Sequence, residues 1–124
     1  MALPIQVAVV QHNPVIGDIS GNCNQIIKGY SKAADAGAEL IITPELALLG
    51  YPPRDLLHRQ AVLDAEQAAL DKLGRITADG PALIVGHTAP STQESGPPLT
   101  NSATVFIDGE SATRYDKRLL PTYD

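Results

Sequence analysis

Two charged residues stand where an α/β protein places its chemistry. Glu45 follows Thr43-Pro44 directly after a short apolar run, and Lys117 follows Tyr115-Asp116 at the end of the last apolar alternation. In parallel sheets the functional groups gather at the carboxyl ends of strands, where the connecting loops converge on a crevice. A carboxylate held beside Leu46, Leu48 and Leu49 is expected to lose solvation, which raises its pKa and suits it to move a proton near neutrality. A lysine aimed into the same crevice would stabilise an oxyanion. Taken singly, either residue is more simply a solvated loop charge.

The other chemistry-bearing residues read differently. Cys23, the one cysteine, falls in phase with Ile26, Ile27 and Tyr30 and is read as a small core residue, not a nucleophile. His12 and His87 stand near strand ends and would approach the crevice, although a lone histidine is more simply structural. Arg54-Asp55 is either a local ion pair at a helix start or a contact for a partner domain. One cysteine and three scattered histidines make no zinc spacing, so no metal is expected. No glycine-rich phosphate loop is present either, since Gly17, Gly21 and Gly29 lack the fingerprint spacing.

The elements that must position these residues follow from the apolar pattern. Ile5 to Gln11 is a Val-rich run bounded by Pro4 and Asn13-Pro14, read as a strand buried on both faces. Cys23, Ile26, Ile27, Tyr30, Ala33 and Ala34 then recur at helical steps, with Gly37 as the C-terminal stop. Leu40 to Thr43 is a second strand, cut off by Pro44. This βαβ unit predicts a parallel pair. Glu45 to Asp55, with Gly50 and Pro52-Pro53, is an ordered loop. Leu56 to Ala78 is a second helix with Leu63, Leu70, Leu73 and Ile76 inward and with Asp64, Glu66 and Asp71 as a solvated face. Ala82 to Val85 is a third strand, and Thr88 to Pro98 a surface loop. Ala103 to Ile107 and Ala112 to Tyr115 flank Asp108-Gly109 as an antiparallel hairpin. The fold class is therefore α/β with a mixed sheet.

Composition bounds the rest. The chain has 124 residues, 44% hydrophobic and 19% charged, enough for a globular core. Nine Lys and Arg against fourteen Asp and Glu give a net charge of −5, which leaves no basic surface for nucleic acid or anionic lipid. No run reaches the ~18 apolar residues of a membrane span. The expectation is a soluble, cytoplasmic protein.

Residues 43 to 57, Thr-Pro-Glu-Leu-Ala-Leu-Leu-Gly-Tyr-Pro-Pro-Arg-Asp-Leu-Leu, resemble the glutamate motif of the carbon–nitrogen hydrolase (nitrilase) superfamily. Residues 115 to 123, Tyr-Asp-Lys-Arg-Leu-Leu-Pro-Thr-Tyr, resemble its lysine motif, with Asn101-Ser102-Ala103 and the hairpin between them in the family's order. Within the superfamily, Gly-Tyr-Pro-Pro-Arg-Asp-Leu-Leu at 50 to 57 is most similar to the amidase domain of glutamine-dependent NAD synthetases. The resemblance implies the N-terminal part of an α-β-β-α sandwich. It assigns Glu45 as general base, Lys117 as oxyanion stabiliser and Tyr123 to the glutamine site, while Tyr51 either lines the same pocket or packs its own loop.

The activity it implies is glutamine hydrolysis through a cysteine thioester, with the ammonia passed to a synthetase domain that uses ATP and Mg to convert deamido-NAD to NAD. In the family the nucleophile follows the lysine motif, and Cys23 precedes the glutamate. Residues 1–124 are therefore expected to be part of a hydrolase domain, inactive alone, lacking the nucleophile segment and the synthetase domain. Its partners would be the rest of the enzyme or a second copy through the sheet. A piece of a stand-alone amidase and a noncatalytic self-associating module are the other readings.

Overall fold

The computed structural model describes residues 3–91 and 99–117. Five strands form one sheet in sequence order: β1 (Val7–Val9), β2 (Leu40–Ile42), β3 (Ala82–Pro90), β4 (Leu99–Ile107) and β5 (Glu110–Asp116). The first three run parallel, and β3, β4 and β5 pair antiparallel. Helices α1 (Ile19–Asp35) and α2 (Gln60–Ile76) form the second layer.

Asp18 caps α1 by accepting from the Gly21 amide at 3.0 Å, one of the donors a helix start leaves unpaired. Past its end Gly37 takes φ +92°, a conformation glycine enters without a Cβ clash. At the hairpin, Asp108 and Gly109 both have positive φ, as the tight turn between twisted strands requires.

Sheet register separates two faces. Ala8, Ile41, Leu83 and Phe106 lie side by side and pack with Ile26, Tyr30, Leu70 and Leu73 of the helices. Each fully buried leucine or isoleucine there contributes about 1.5–3 kcal/mol. The neighbouring row, Val9, Ile42, Ile84 and Val105, points away from both helices. Val9 is 60% exposed and Val7 48%, so the first strand is not buried on both faces as its apolar run predicts. No layer among the described residues covers that side.

Three other expectations change. The second helix is interrupted at Arg59, which is extended and separates a 3-10 turn (Arg54–His58) from α2. Arg54-Asp55 opens that turn. The start of the Thr88 to Pro98 loop is strand: β3 runs on to Pro90 and pairs with Leu99, while Thr88 and Ala89 are buried. Glu66 is not on a solvated face. It is 2% exposed and accepts from the Thr88 amide and hydroxyl, which ties α2 to β3.

Candidate active site

The loop after β2 is bolted to β3 before it reaches Glu45. The Thr43 amide and hydroxyl both donate to the Ile84 carbonyl at 3.0 Å, and the same hydroxyl accepts from the Gly86 amide at 3.1 Å. The Ala47 amide donates to the Gly86 carbonyl at 2.9 Å. A Cβ on Gly86 would stand 2.4 Å from the Pro44 carbonyl oxygen and 2.9 Å from the Leu46 nitrogen, so only glycine lets the loop lie this close. Asn22 of α1 clamps the other side, donating to the carbonyls of Val15 and Leu48 and accepting from the Val15 amide.

Leu46, Ala47, Leu48 and Leu49 all turn into the protein and are 3% exposed or less. Their burial fixes the loop and leaves the Glu45 side chain outside, 44% exposed. Lys117 comes to it from the end of β5, its amide held by the Asn101 carbonyl at 2.8 Å. The Lys117 ammonium donates to Glu45 Oε1 at 2.9 Å, and Asn101 Nδ2 donates to the same oxygen at 2.5 Å. Residues 72 apart in sequence thus form one cluster, at the edge of the uncovered sheet face.

The hydrogen bond from Lys117 lowers the Glu45 pKa below the ordinary carboxylate range, helped by Asn101 and by the Lys117 charge and opposed by slight burial. The sequence-based expectation of a raised value is overturned, because the flanking leucines go into the core and do not desolvate the carboxylate. Beside Lys117, Asp116 accepts from Ser102 at 2.7 Å and Arg114 at 2.9 Å, and these bonds hold its pKa down. They anchor the end of β5 from which Lys117 projects.

The histidines do not join the cluster. His87 is 2% exposed, its Nδ1 donating to the Thr88 carbonyl at 2.8 Å and its Nε2 paired with the Thr104 hydroxyl at 2.7 Å. Burial pushes its pKa down. His12 Nε2 donates to the Ala47 carbonyl at 3.2 Å and so braces the glutamate loop from behind. Cys23 is 4% exposed with its thiol against the Ala69 carbonyl, and burial raises its pKa away from the reactive thiolate. Tyr51 is 44% exposed, in the same loop as Glu45. Tyr123 lies outside the described residues.

Sequence reasoning passed over Asn101, Thr43, Gly86 and Asn22 as parts of the site. Asn101 stands between the two motifs in an otherwise Ser- and Thr-rich strand, and Gly86 is an isolated glycine inside a strand, itself a sign of close backbone approach. Among the described residues no group of three or more His, Cys, Asp or Glu could hold a metal ion. None of the described helices is long and apolar enough to cross a membrane.

The chain is similar to known proteins over almost its whole length. A carbon–nitrogen hydrolase family profile matches residues 6–124. The chain is 37% identical over 121 residues to a glutamine-dependent NAD(+) synthetase of Synechocystis sp., covering 95% of this chain and 22% of that protein. It is 35% identical over 120 residues to the enzyme of the same name from Thermotoga maritima, covering 96% and 20%. The chain thus spans about a fifth of the length of the curated relatives it matches. Among solved structures, the glutamine-dependent NAD+ synthetase of Acinetobacter baumannii superposes with a TM-score of 0.85 at 33% identity, over 97% of this chain and 22% of that one. An amidase from Nesterenkonia sp. gives 0.80 at 26% identity, over 96% of this chain and 44% of that one.

Proposed function

Because this chain belongs to the carbon–nitrogen hydrolase family, we propose that it forms the N-terminal part of a glutamine-hydrolysing domain. In this reading the domain feeds ammonia to the ATP-dependent amidation of deamido-NAD. The observation that carries the proposal is the hydrogen-bonded pair of Glu45 and Lys117, a carboxylate and a cation brought together from 72 residues apart. The relatives called glutamine-dependent NAD(+) synthetase support the choice of substrate.

The chemistry needs a thiol that Cys23, buried between the helices, does not supply. We assign the nucleophile to a cysteine outside these 124 residues, brought against the uncovered face from which Lys117 projects. Glu45 takes the thiol proton as the sulfur attacks the side-chain carbonyl carbon of glutamine, and Lys117 stabilises the oxyanion. Collapse of that intermediate breaks the C–N bond, and the proton on Glu45 leaves with ammonia. Water then gives a proton to Glu45 and attacks the thioester, and the thiolate leaves as glutamate forms. That proton returns to the thiolate.

The ion pair is itself part of this argument. While Lys117 binds Glu45, the carboxylate is ionised and weakly basic. An oxyanion that draws the ammonium toward itself loosens this hold and makes Glu45 a better proton acceptor when one is needed. Tyr51 and Tyr123 are assigned to the glutamine pocket. ATP and Mg are assigned to a separate synthetase domain, a reading supported by the relatives called glutamine-dependent NAD(+) synthetase, of which this chain spans about a fifth. The rest of the enzyme is the partner that covers the sheet, and the cytoplasm is its location.

The test is isotope transfer in the intact protein. Glutamine labelled with ¹⁵N in its side-chain amide, supplied with ATP, Mg and deamido-NAD, should give labelled NAD, and Cys23→Ala should not reduce it. Labelled ammonia without NAD formation would instead favour a stand-alone amidase, the reading supported by the likeness to the Nesterenkonia enzyme. Absence of both would defeat the proposal. The 124 residues alone should release no ammonia, and release abolished by Cys23→Ala would overturn the assignment of that residue.

A further inference from the structure

We propose that Asn101 is a positioning residue that fixes which oxygen of Glu45 acts as the base. It rests on the functional reading above, in which Glu45 moves the proton.

Both donors to Glu45 converge on one atom. Lys117 Nζ and Asn101 Nδ2 each bond Oε1, and among the described residues no bond is made to Oε2. Among the described residues the carboxylate is therefore held by one oxygen, which leaves the other as the acceptor for a proton. Asn101 also fixes the second donor, because its backbone carbonyl receives the Lys117 amide at 2.8 Å. A single residue of β4 thus sets the orientation of the base and the path of the chain that carries the cation.

Sheet geometry makes this placement firm. Asn101 pairs with Thr88 of β3, and Thr88 is itself tied to the buried Glu66 of α2. Asn101 shares its sheet face with Ala103 and Val105, opposite the core-facing Ser102 and Thr104. A shift of one residue would turn Asn101 away from Glu45. The amide is suited to the task, since it donates without carrying a charge that would compete with Lys117. Lys117 is the charged group bonded to Glu45 among the described residues.

Two variants of the intact protein separate positioning from packing. Asn101→Ala removes the donor and the volume, whereas Asn101→Asp keeps the volume and replaces the donor with a second carboxylate. The Glu45 carboxyl, followed by ¹³C NMR through a pH titration, should titrate higher in Asn101→Ala than in the parent, and higher again in Asn101→Asp. Glutamine hydrolysis should lose on the order of tenfold in kcat in Asn101→Ala, the worth of a hydrogen bond to a charged group, and more in Asn101→Asp. KM should change little, and the acid limb of the rate profile should move upward.

An unchanged Glu45 titration in both variants would overturn the proposal. So would a larger loss in Asn101→Ala than in Asn101→Asp, the order that packing dictates. Should Asn101→Ala fail to fold, the isosteric Asn101→Asp carries the test. A parent protein that does not hydrolyse glutamine would defeat the functional reading, while the titration still decides whether Asn101 orients the carboxylate.

Discussion

Two glutamates of this chain live in opposite environments. Glu66 is buried between α2 and β3, and its pKa is raised by burial against the opposing bonds from Thr88. Glu45 is 44% exposed, and its pKa is lowered by Lys117 and Asn101. The buried carboxylate has the perturbation usually associated with a catalytic acid, yet among the described residues its bonds go to Thr88 and it serves to hold a strand. The exposed one has the partners from which a reaction can be built. Loss of solvation is thus a poorer guide to function here than the identity of the donors.

Glu45→Gln should break the comparison most strongly. Removing the proposed base should lower glutamine hydrolysis by about 10³-fold, the middle of the range for general-base catalysis and about 4 kcal/mol of barrier. Stability should change little, because the side chain is exposed and the loop is held by its leucines. Steady-state kinetics together with a thermal melt checks both halves.

Gly86→Ala attacks the same site from below. The added methyl meets the Pro44 carbonyl and the Leu46 nitrogen, backbone atoms of a loop that four hydrogen bonds through Thr43 and Ala47 fix to β3, so they cannot step aside cheaply. We expect a loss of about 3 kcal/mol in a denaturant melt, the upper end for overpacking, with hydrolysis reduced in the protein that still folds. A variant as stable and active as the parent would show that the loop does not depend on this close approach.

Glu66→Ala should do the reverse of Glu45→Gln. It leaves the Thr88 amide without its acceptor, which costs about 1–3 kcal/mol, partly offset by the loss of a desolvated carboxylate. A net loss of about 2 kcal/mol is expected in urea unfolding, with kcat within a few-fold for the folded enzyme. A large fall in kcat at unchanged stability would move Glu66 into the chemistry and dissolve the contrast.

These differences explain what could and could not be read from sequence. Apolar spacing exposed both helices and all five strands, and Asp108-Gly109 marked its turn, because period and turn chemistry are local. The lysine and glutamate motifs identified the pair whose bond the structure shows. Glu66 was misread because its charge was weighed above its phase: it stands three residues after Leu63 and four before Leu70, on the inward stripe and away from Asp64 and Asp71, and the course of β3 supplies the amide and hydroxyl that receive it. Asn101 and Gly86 were missed for a different reason. Their roles are contacts with residues 56 positions away and with the backbone of a different strand connection, which no periodicity encodes. Thr88 to Pro90 looked like loop because it opens a stretch rich in Pro, Ser, Thr and Gly with no periodicity, and pairing with Leu99 to Asn101 makes it strand.

The smallest expected effect sharpens the contrast by its sign. The folded pKa of Glu45 lies below its unfolded value, so the unfolded chain binds the extra proton. Its stabilisation is present above the unfolded pKa and is lost as pH falls through the folded one. Exposure and solvent screening keep it small, well under about 1 kcal/mol for a surface pair. Glu66 runs the other way, because its folded pKa is raised and the native state holds the proton longer. Its favourable contribution is present below the unfolded pKa and is lost as pH rises through the folded one. Denaturant midpoints measured across the carboxylate range should therefore separate the two glutamine variants. Relative to the parent, Glu45→Gln should flatten the decline on the acid side, and Glu66→Gln should flatten the decline on the side of rising pH. Identical curves for the two variants would mean that the two carboxylates do not differ in environment as the structure places them.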